Sequence, residues 1–281
     1  MSSGRRSRGR RALRLLSYAV LALVAVFVLA PFAFMISTSV KPADEIYAVP
    51  IRWIPARPTL ANYRQAFAEI DILRGTWNTL LIAVPSTLGG LLTASFAGYA
   101  FAKLRFPGRD AIFAALLSTM MLPGVVTLIP QFVGFARIGW IDTYYPLIVP
   151  GATGSAVAIF LMRQYFASIP DELIEAATLD GANPFQTFTR VVFPLAGPAV
   201  ATLAVLGLKA AWNDYFGPLV YITSPRKMNI QQMIAGTQNA YGGEPAVLMA
   251  GASLAMLPLV VLFLFAQRYF VEGLARTGLK R

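Results

Sequence analysis

Six long apolar runs separated by short polar segments decide most of what this chain can become. An unbroken apolar stretch from Ala19 to Ile36 lies within residues 12 to 37, and further runs span roughly 78 to 101, 111 to 135, 144 to 166, 191 to 217 and 246 to 266. A helix needs about 20 apolar residues to cross a bilayer, and inside hydrocarbon a helix satisfies its own backbone polar groups. Each run is near or above that length, so the expected fold is an all-α membrane protein with six transmembrane helices. Composition agrees: 13% of the 281 residues are charged, against about 25% for a soluble domain, and the mean hydropathy is +0.60.

Six arginines, Arg5, Arg6, Arg8, Arg10, Arg11 and Arg14, precede the first run as they would a signal peptide. The apolar core is longer than a signal core, however, and "PFAFMISTSVKPADE" carries no clear small-residue cleavage pattern. A retained first span is therefore expected; a cleaved signal would leave five spans and put the mature termini on opposite sides. With both termini cytoplasmic, 15 of the 24 Lys and Arg lie inside, 8 outside, and Lys209 lies within a span. That bias follows the positive-inside rule. Basic tails beside an anionic leaflet then account for most of the +11 net charge without invoking nucleic acid.

The chain has no Cys and no His, which excludes disulfides, cysteine catalysis, the usual zinc ligand sets and histidine proton relays. It also lacks a Walker A lysine. Lys41, Lys103, Lys209, Lys227 and Lys280 are followed by Pro, Leu, Ala, Met and Arg, never by Ser or Thr. ATP-driven work would need another subunit.

The connections differ in kind. Residues 41–67 contain four prolines and mixed charge and predict an irregular external segment, then a short helix from about Leu60 to Phe67 started by Pro58 and Thr59. "AKLRFPGRD", residues 102–110, predicts a tight turn bent by Pro107 and Gly108. Residues 168–190, "SIPDELIEAATLDGANPFQTFTR", predict two short helices. Pro170, Asp171 and Glu172 suit a helix start, Gly181 suits an exit with positive φ, and Asn183 with Pro184 suits a restart. The first helix carries four acids and no base from Asp171 to Asp180, beside a small, mildly apolar face of Leu173, Ala176 and Ala177. Interfacial helices on anionic lipid are usually basic, so a protein partner suits this surface better than lipid does.

"EAATLDGA" at residues 175–182, followed thirteen residues after Gly181 by Pro194 in "VVFPLAGPA", resembles the EAA loop of ABC importer membrane subunits. The likeness extends to "NTLLIAVPSTLGGLLTASFAGYAFAKLRFPGRD", "MLPGVVTLIPQF", "AWNDYFGPLVYI" and "AQRYFVEGLARTGLK", which are similar to the carbohydrate-uptake permeases of the MalG type. The resemblance implies a type I ABC importer permease fold. It also implies a second permease subunit, two ATPase subunits that carry the ATP and Mg, and an extracytoplasmic solute-binding protein, with no cofactor in this chain. In that family the EAA loop is a coupling helix docked in a cleft of the ATPase. Here its motif positions fall on Glu175, Ala176, Ala177 and Gly181, with Asp180 beside them.

Lys209, Asn213 and Asp214 stand out as polar residues near the outer half of the fifth span, where a charge faces a cavity or a partner. On a continuous helix Asp214 lies about 35 Å from Val191 and so at the external interface; lining of the path, subunit contact and anchoring all stay open. Gly89, Gly90, Ala94 and Gly98 suit close crossing of spans. The polar stretch 221–246 suits contact with a binding protein, with Gly236, Gly242 and Gly243 lending it freedom. The expected organisation is a basic cytoplasmic tail (1–14), a first span with its external loop (15–76), a five-helix core (77–267) and a C-terminal cytoplasmic tail (268–281). A secondary transporter for a small polar solute is the rival reading. Such proteins place ionisable residues or broken helices at midmembrane, and only Lys209 lies clearly within a span.

Overall fold

The computed structural model describes residues 3–240 and 244–278, and every regular element among them is helical. In chain order these are α1 (Ser3–Ser39), α2 (Ala43–Ile46), α3 (Ala61–Glu69), α4 (Ile72–Lys103), α5 (Arg109–Ser118), α6 (Gly124–Arg137), α7 (Tyr145–Ala152) and α8 (Ala156–Ala167). They are followed by α9 (Glu172–Leu179), α10 (Pro184–Thr187), α11 (Phe193–Leu195), α12 (Gly197–Trp212), α13 (Phe216–Tyr221), α14 (Ile230–Ala240) and α15 (Pro245–Gly278). Parts of both expected tails, residues 1–2 and 279–281, lie outside the described residues, while α1 and α15 run through the rest.

Among the described residues, four stretches are long and apolar enough to cross a membrane: Arg14–Ser39, Ile72–Lys103, Tyr145–Ala167 and Pro245–Gln267. Two further candidates are bent pairs, Arg109–Met121 with Gly124–Arg137 at 99° and Pro184–Leu195 with Gly197–Trp212 at 78°. The first bend sits at Leu122 and Pro123, where the backbone is extended. Proline disfavours helical conformation in the residue before it, so the run ends there despite its unbroken hydropathy. The expectation of a continuous helix from Val191 to Asp214 is likewise corrected: the chain turns at Ala196, and Asp214 lies past the end of α12.

Two compact units can be distinguished, Met1–Ile72 with Ile234–Ala255, and Leu73–Met233 with Met256–Arg281. In the first, residues 14–29 of α1 are exposed throughout, an apolar surface of the kind that marks a membrane or protein contact. Its polar end is tied down. The Asn62 amide donates to the carbonyls of Ser39 (2.9 Å) and Lys41 (2.7 Å), and Thr59 Oγ1, just ahead of α3 and close to the predicted start, accepts from the Ala61 amide at 3.1 Å.

In the second unit the core lies between α4, α8 and residues 188–196, with Ala94, Met162, Phe166, Val192 and Ala196 fully buried. The predicted close crossing is here, between α4 and the α7–α8 segment. A Cβ on Gly98 would lie 2.6 Å from Met162 Cβ, and one on Gly90 would lie 2.5 Å from the Gly151 carbonyl oxygen. Thr93 adds a hydrogen bond across the crossing, donating to Ala152 O at 2.9 Å.

Candidate functional site

The acidic loop folds as the two helical pieces its sequence predicts. α9 has Asp171 at its N-cap position and Glu172 and Glu175 in its first turn, where the positive end of the helix dipole favours carboxylates. It closes with a Schellman arrangement: Gly181 donates to Thr178 O (3.0 Å), Ala182 donates to Ala177 O (2.9 Å), and Gly181 has φ +83. Asn183 then forms a capping box with Gln186, its side chain accepting from the Gln186 amide at 2.9 Å while Gln186 Oε1 accepts from the Asn183 amide at 3.0 Å.

One face of α9 is fastened to the body. Ala177 is buried, and Ile174 packs on the aromatic core that includes Phe166 and Phe188. Lys103, at the end of α4 with its side chain 6% exposed, donates to the Ile169 carbonyl (2.6 Å) and to Asp171 Oδ1 (2.5 Å). The hydrogen bond from Lys103, and then its charge, hold the Asp171 carboxyl below the usual carboxylate range. Helical spacing had grouped Ala176 with Ala177 on one small face, but the structure separates them. Ala177 faces the core, whereas Ala176 is exposed with Glu172, Leu173, Glu175, Asp180 and Gly181. Sequence reasoning gave no role to Leu179 and Phe185, which are 89% and 63% exposed and add apolar area to that acidic surface. Large apolar residues inside a short polar loop were the available signal.

Beyond α10 the chain makes a π-helical turn over Phe188–Val192 before Pro194. Widened turns of this kind are frequent at functional sites. Phe188 stands at the centre of this joint, its ring 4.8 Å from that of Phe96, 5.1 Å from Tyr99 and 5.4 Å from Phe193.

The polar trio at the end of α12 divides. Lys209 and Asn213 are exposed, with the Asn213 amide donating to Lys209 O at 3.0 Å. Asp214 instead lines a partly open cavity of about 490 Å3 bordered by α4, α7, α8 and α12. Its Oδ1 accepts from the Gly217 amide at 3.0 Å, and its carbonyl accepts from Asn229 at 2.7 Å. Ser86, Thr87 and Ser155 are the other polar side chains of the wall. Trp212, Tyr215 and Phe216 do not line it.

Residues 222–229 are far better fixed than a polar connection suggests. Asp142, at φ +58, accepts from the amides of Thr223 (3.0 Å) and Ser224 (2.8 Å) and from the Ser224 hydroxyl, and Lys227 donates to its Oδ2 at 3.1 Å. These bonds hold the Asp142 carboxyl well below the usual range. Asn78 adds donation to Arg226 O and Met228 O. Gly236 lies within α14, with open space where a Cβ would be; Gly242 and Gly243 lie outside the described residues.

Comparison with known proteins gives a consistent result. Residues 90–276 match the family model described as "Binding-protein-dependent transport system inner membrane component". The chain is 33% identical to the arabinooligosaccharides transport system permease protein AraQ of Halalkalibacterium halodurans, over 94% of this chain and 95% of that protein. It is 31% identical to the sn-glycerol-3-phosphate transport system permease protein UgpE of Brucella abortus, over 94% and 96% respectively. Among solved structures, a chain of a bacterial ABC transporter involved in the import of the acidic polysaccharide alginate superposes with a TM-score of 0.82 at 25% identity, covering 94% of this chain and 98% of that one.

Proposed function

The chain belongs to the binding-protein-dependent transport system inner membrane components, and from that premise we propose that it is one of two permease subunits of an ATP-driven carbohydrate importer. It is a multi-pass inner-membrane protein. In this reading the chain crosses six times, the two bent pairs each counting as one span, and both termini are cytoplasmic, with residues 1–14 and 268–281 as tails around a 77–267 core.

α9 is the coupling helix. The observation that carries this is its build: one face locked to the core by Ala177, Ile174 and the Lys103–Asp171 pair, the other leaving Glu175, Ala176, Leu179, Asp180 and Gly181 open to a partner. ATP and Mg bind on two ATPase subunits, whose closure draws residues 170–181 inward and opens the path outward. Displacement reaches α12 through the π-helical joint and Pro194. A solute-binding protein delivers cargo to the external face, where the stretch 221–246, including Gly236, Gly242 and Gly243, meets it; the Asp142 clamp supplies a fixed base for that contact. The cargo is a mono- or oligosaccharide, or a related polyol or glycerol phosphate, in keeping with the named cargoes of AraQ and UgpE.

The test is ligand calorimetry on the cognate binding protein, followed by ATP-dependent uptake in vesicles holding the complete complex. Saturable binding and uptake of a sugar, polyol or glycerol phosphate is expected. Binding and uptake confined to amino acids or peptides would overturn the cargo, and uptake driven by an ion gradient without ATP would replace the importer with a secondary transporter.

A further inference from the structure

The wall of the cavity between α4, α7, α8 and α12 is chemically lopsided. It holds three hydroxyl side chains, Ser86, Thr87 and Ser155, and one carboxylate, Asp214, and no Lys or Arg is among the residues that line it. The remainder is Gly, Ala, Leu and Pro. Lys209, the one cation on α12, is exposed and takes no part in the wall. At about 490 Å3 the space falls within the roughly 300–1,000 Å3 typical of small-molecule sites.

We infer that this cavity is a station on the cargo path for an uncharged polyhydroxylated compound, with Asp214 disfavouring phosphorylated or uronate cargo and so narrowing the cargo range above to sugars and polyols; the inference rests on the importer reading above. A sugar hydroxyl both donates and accepts. A carboxylate offers about four acceptor sites, and the Gly217 amide occupies one at Oδ1, fixing the group while leaving the rest available. Thr87 Oγ1 has no hydrogen-bond partner, and its residue is 9% exposed. Buried hydroxyls are rarely left so, and a cargo hydroxyl is the kind of group that would pair with it after a rotation about χ1. An anionic group entering the same space would face the Asp214 charge with no wall cation to offset it. Apolar, low-dielectric walls concentrate that field inside the cavity.

The chain has no cysteine, so the field can be read directly. Ala211, in the cavity wall one turn before Asp214, is changed to Cys in the full complex, with partner-subunit cysteines replaced by serine. Its modification is timed with a cationic methanethiosulfonate (ethyltrimethylammonium) and an anionic one (ethylsulfonate), each normalised to 2-mercaptoethanol in the same buffer. A unit charge a few ångströms away in a partly wetted site should favour the cation over the anion by about ten-fold. The preference should fall to the free-thiol value when Asp214→Asn, which keeps the Oδ1 acceptor, is added. Arabinotriose with binding protein and ATP should slow both reagents. A normalised ratio at or below one, a ratio insensitive to Asp214→Asn, no reaction in any nucleotide state, or no protection during confirmed arabinotriose uptake would each overturn the inference. The reagent ratio can be read whether or not the complex imports sugar, and absence of ATP-driven uptake of every sugar in the unmodified complex counts against the importer reading instead.

Discussion

Substitution of Gly181 separates two contributions of the acidic loop that are otherwise hard to tell apart. Its φ of +83 lies in the left-handed region, which costs an ordinary L-residue about 1–2 kcal/mol and Asn less. No atom lies within 4 Å of the position a Cβ would take, so Gly181→Ala meets no neighbour within the chain and carries backbone strain alone. Since about 1.4 kcal/mol is ten-fold in an equilibrium, that strain lowers the population of the correctly turned loop about ten-fold relative to alternative exits from α9. The two Schellman hydrogen bonds oppose this change. Gly181→Trp carries the same strain plus an indole on the exposed surface where the ATPase is proposed to dock. ATP-driven uptake per inserted permease should therefore fall in the order Gly, Asn, Ala, Trp, with Trp abolishing uptake and ATPase copurification while membrane insertion stays normal. Normal uptake by a well-inserted Gly181→Trp variant would refute the coupling role. A Trp variant no worse than Ala would refute docking at this surface and leave only the strain.

Lys103→Met should leave the Ile169 carbonyl without its lysine partner and untie the exposed Asp171 carboxylate from α4, reducing sugar moved per ATP hydrolysed with insertion intact, and Lys103→Arg should restore part of it; the check is a paired uptake and hydrolysis assay. Asp142 is held below its unfolded pKa of about 3.9, so the stabilisation it confers is fully present above that pH and is lost as pH falls through its lower folded value. Limited proteolysis at residues 222–229 should accordingly stay slow from pH 7 to about 4, whereas Asp142→Asn should raise it at neutral pH and flatten its response to acid. Gly98→Leu, with Met162 Cβ 2.6 Å from where even a methyl would start, should destabilise the α4–α8 crossing by about 1–3 kcal/mol or more, read as a lower unfolding temperature in detergent.

Local chemistry made the acidic loop legible, whereas features set by distant contacts were hidden. Gly181, Asn183 and Pro184 each specify a backbone state within a few residues, and α9, its exit and its capping box follow from them. The small residues of α4 likewise announced a close crossing. The bends were harder, because hydropathy sums over a window whereas Pro123 breaks the third run at one residue and Gly197 with Pro198, directly after Ala196, break the fifth. The Asp142 clamp was invisible because its partners lie more than 80 residues later, and nothing in the residue order pairs them. Lys209, Asn213 and Asp214 looked equivalent while a continuous helix was assumed. The end of α12 at Trp212 turns Asp214 into the cavity and leaves the other two outside it.

Under the proposed coupling, the 78° between residues 184–195 and α12 would make this part of the chain a bell crank. Of any shift directed along the shorter arm, only about one fifth, the cosine of 78°, projects along the axis of α12, and nearly all of the remainder is a lateral sweep. A piston stroke of α12 through the bilayer would drag polar ends into hydrocarbon, whereas a sweep keeps each residue near its depth. In that proposal, small strokes at the loop would widen or narrow the space beside α12 without moving its ends across the membrane.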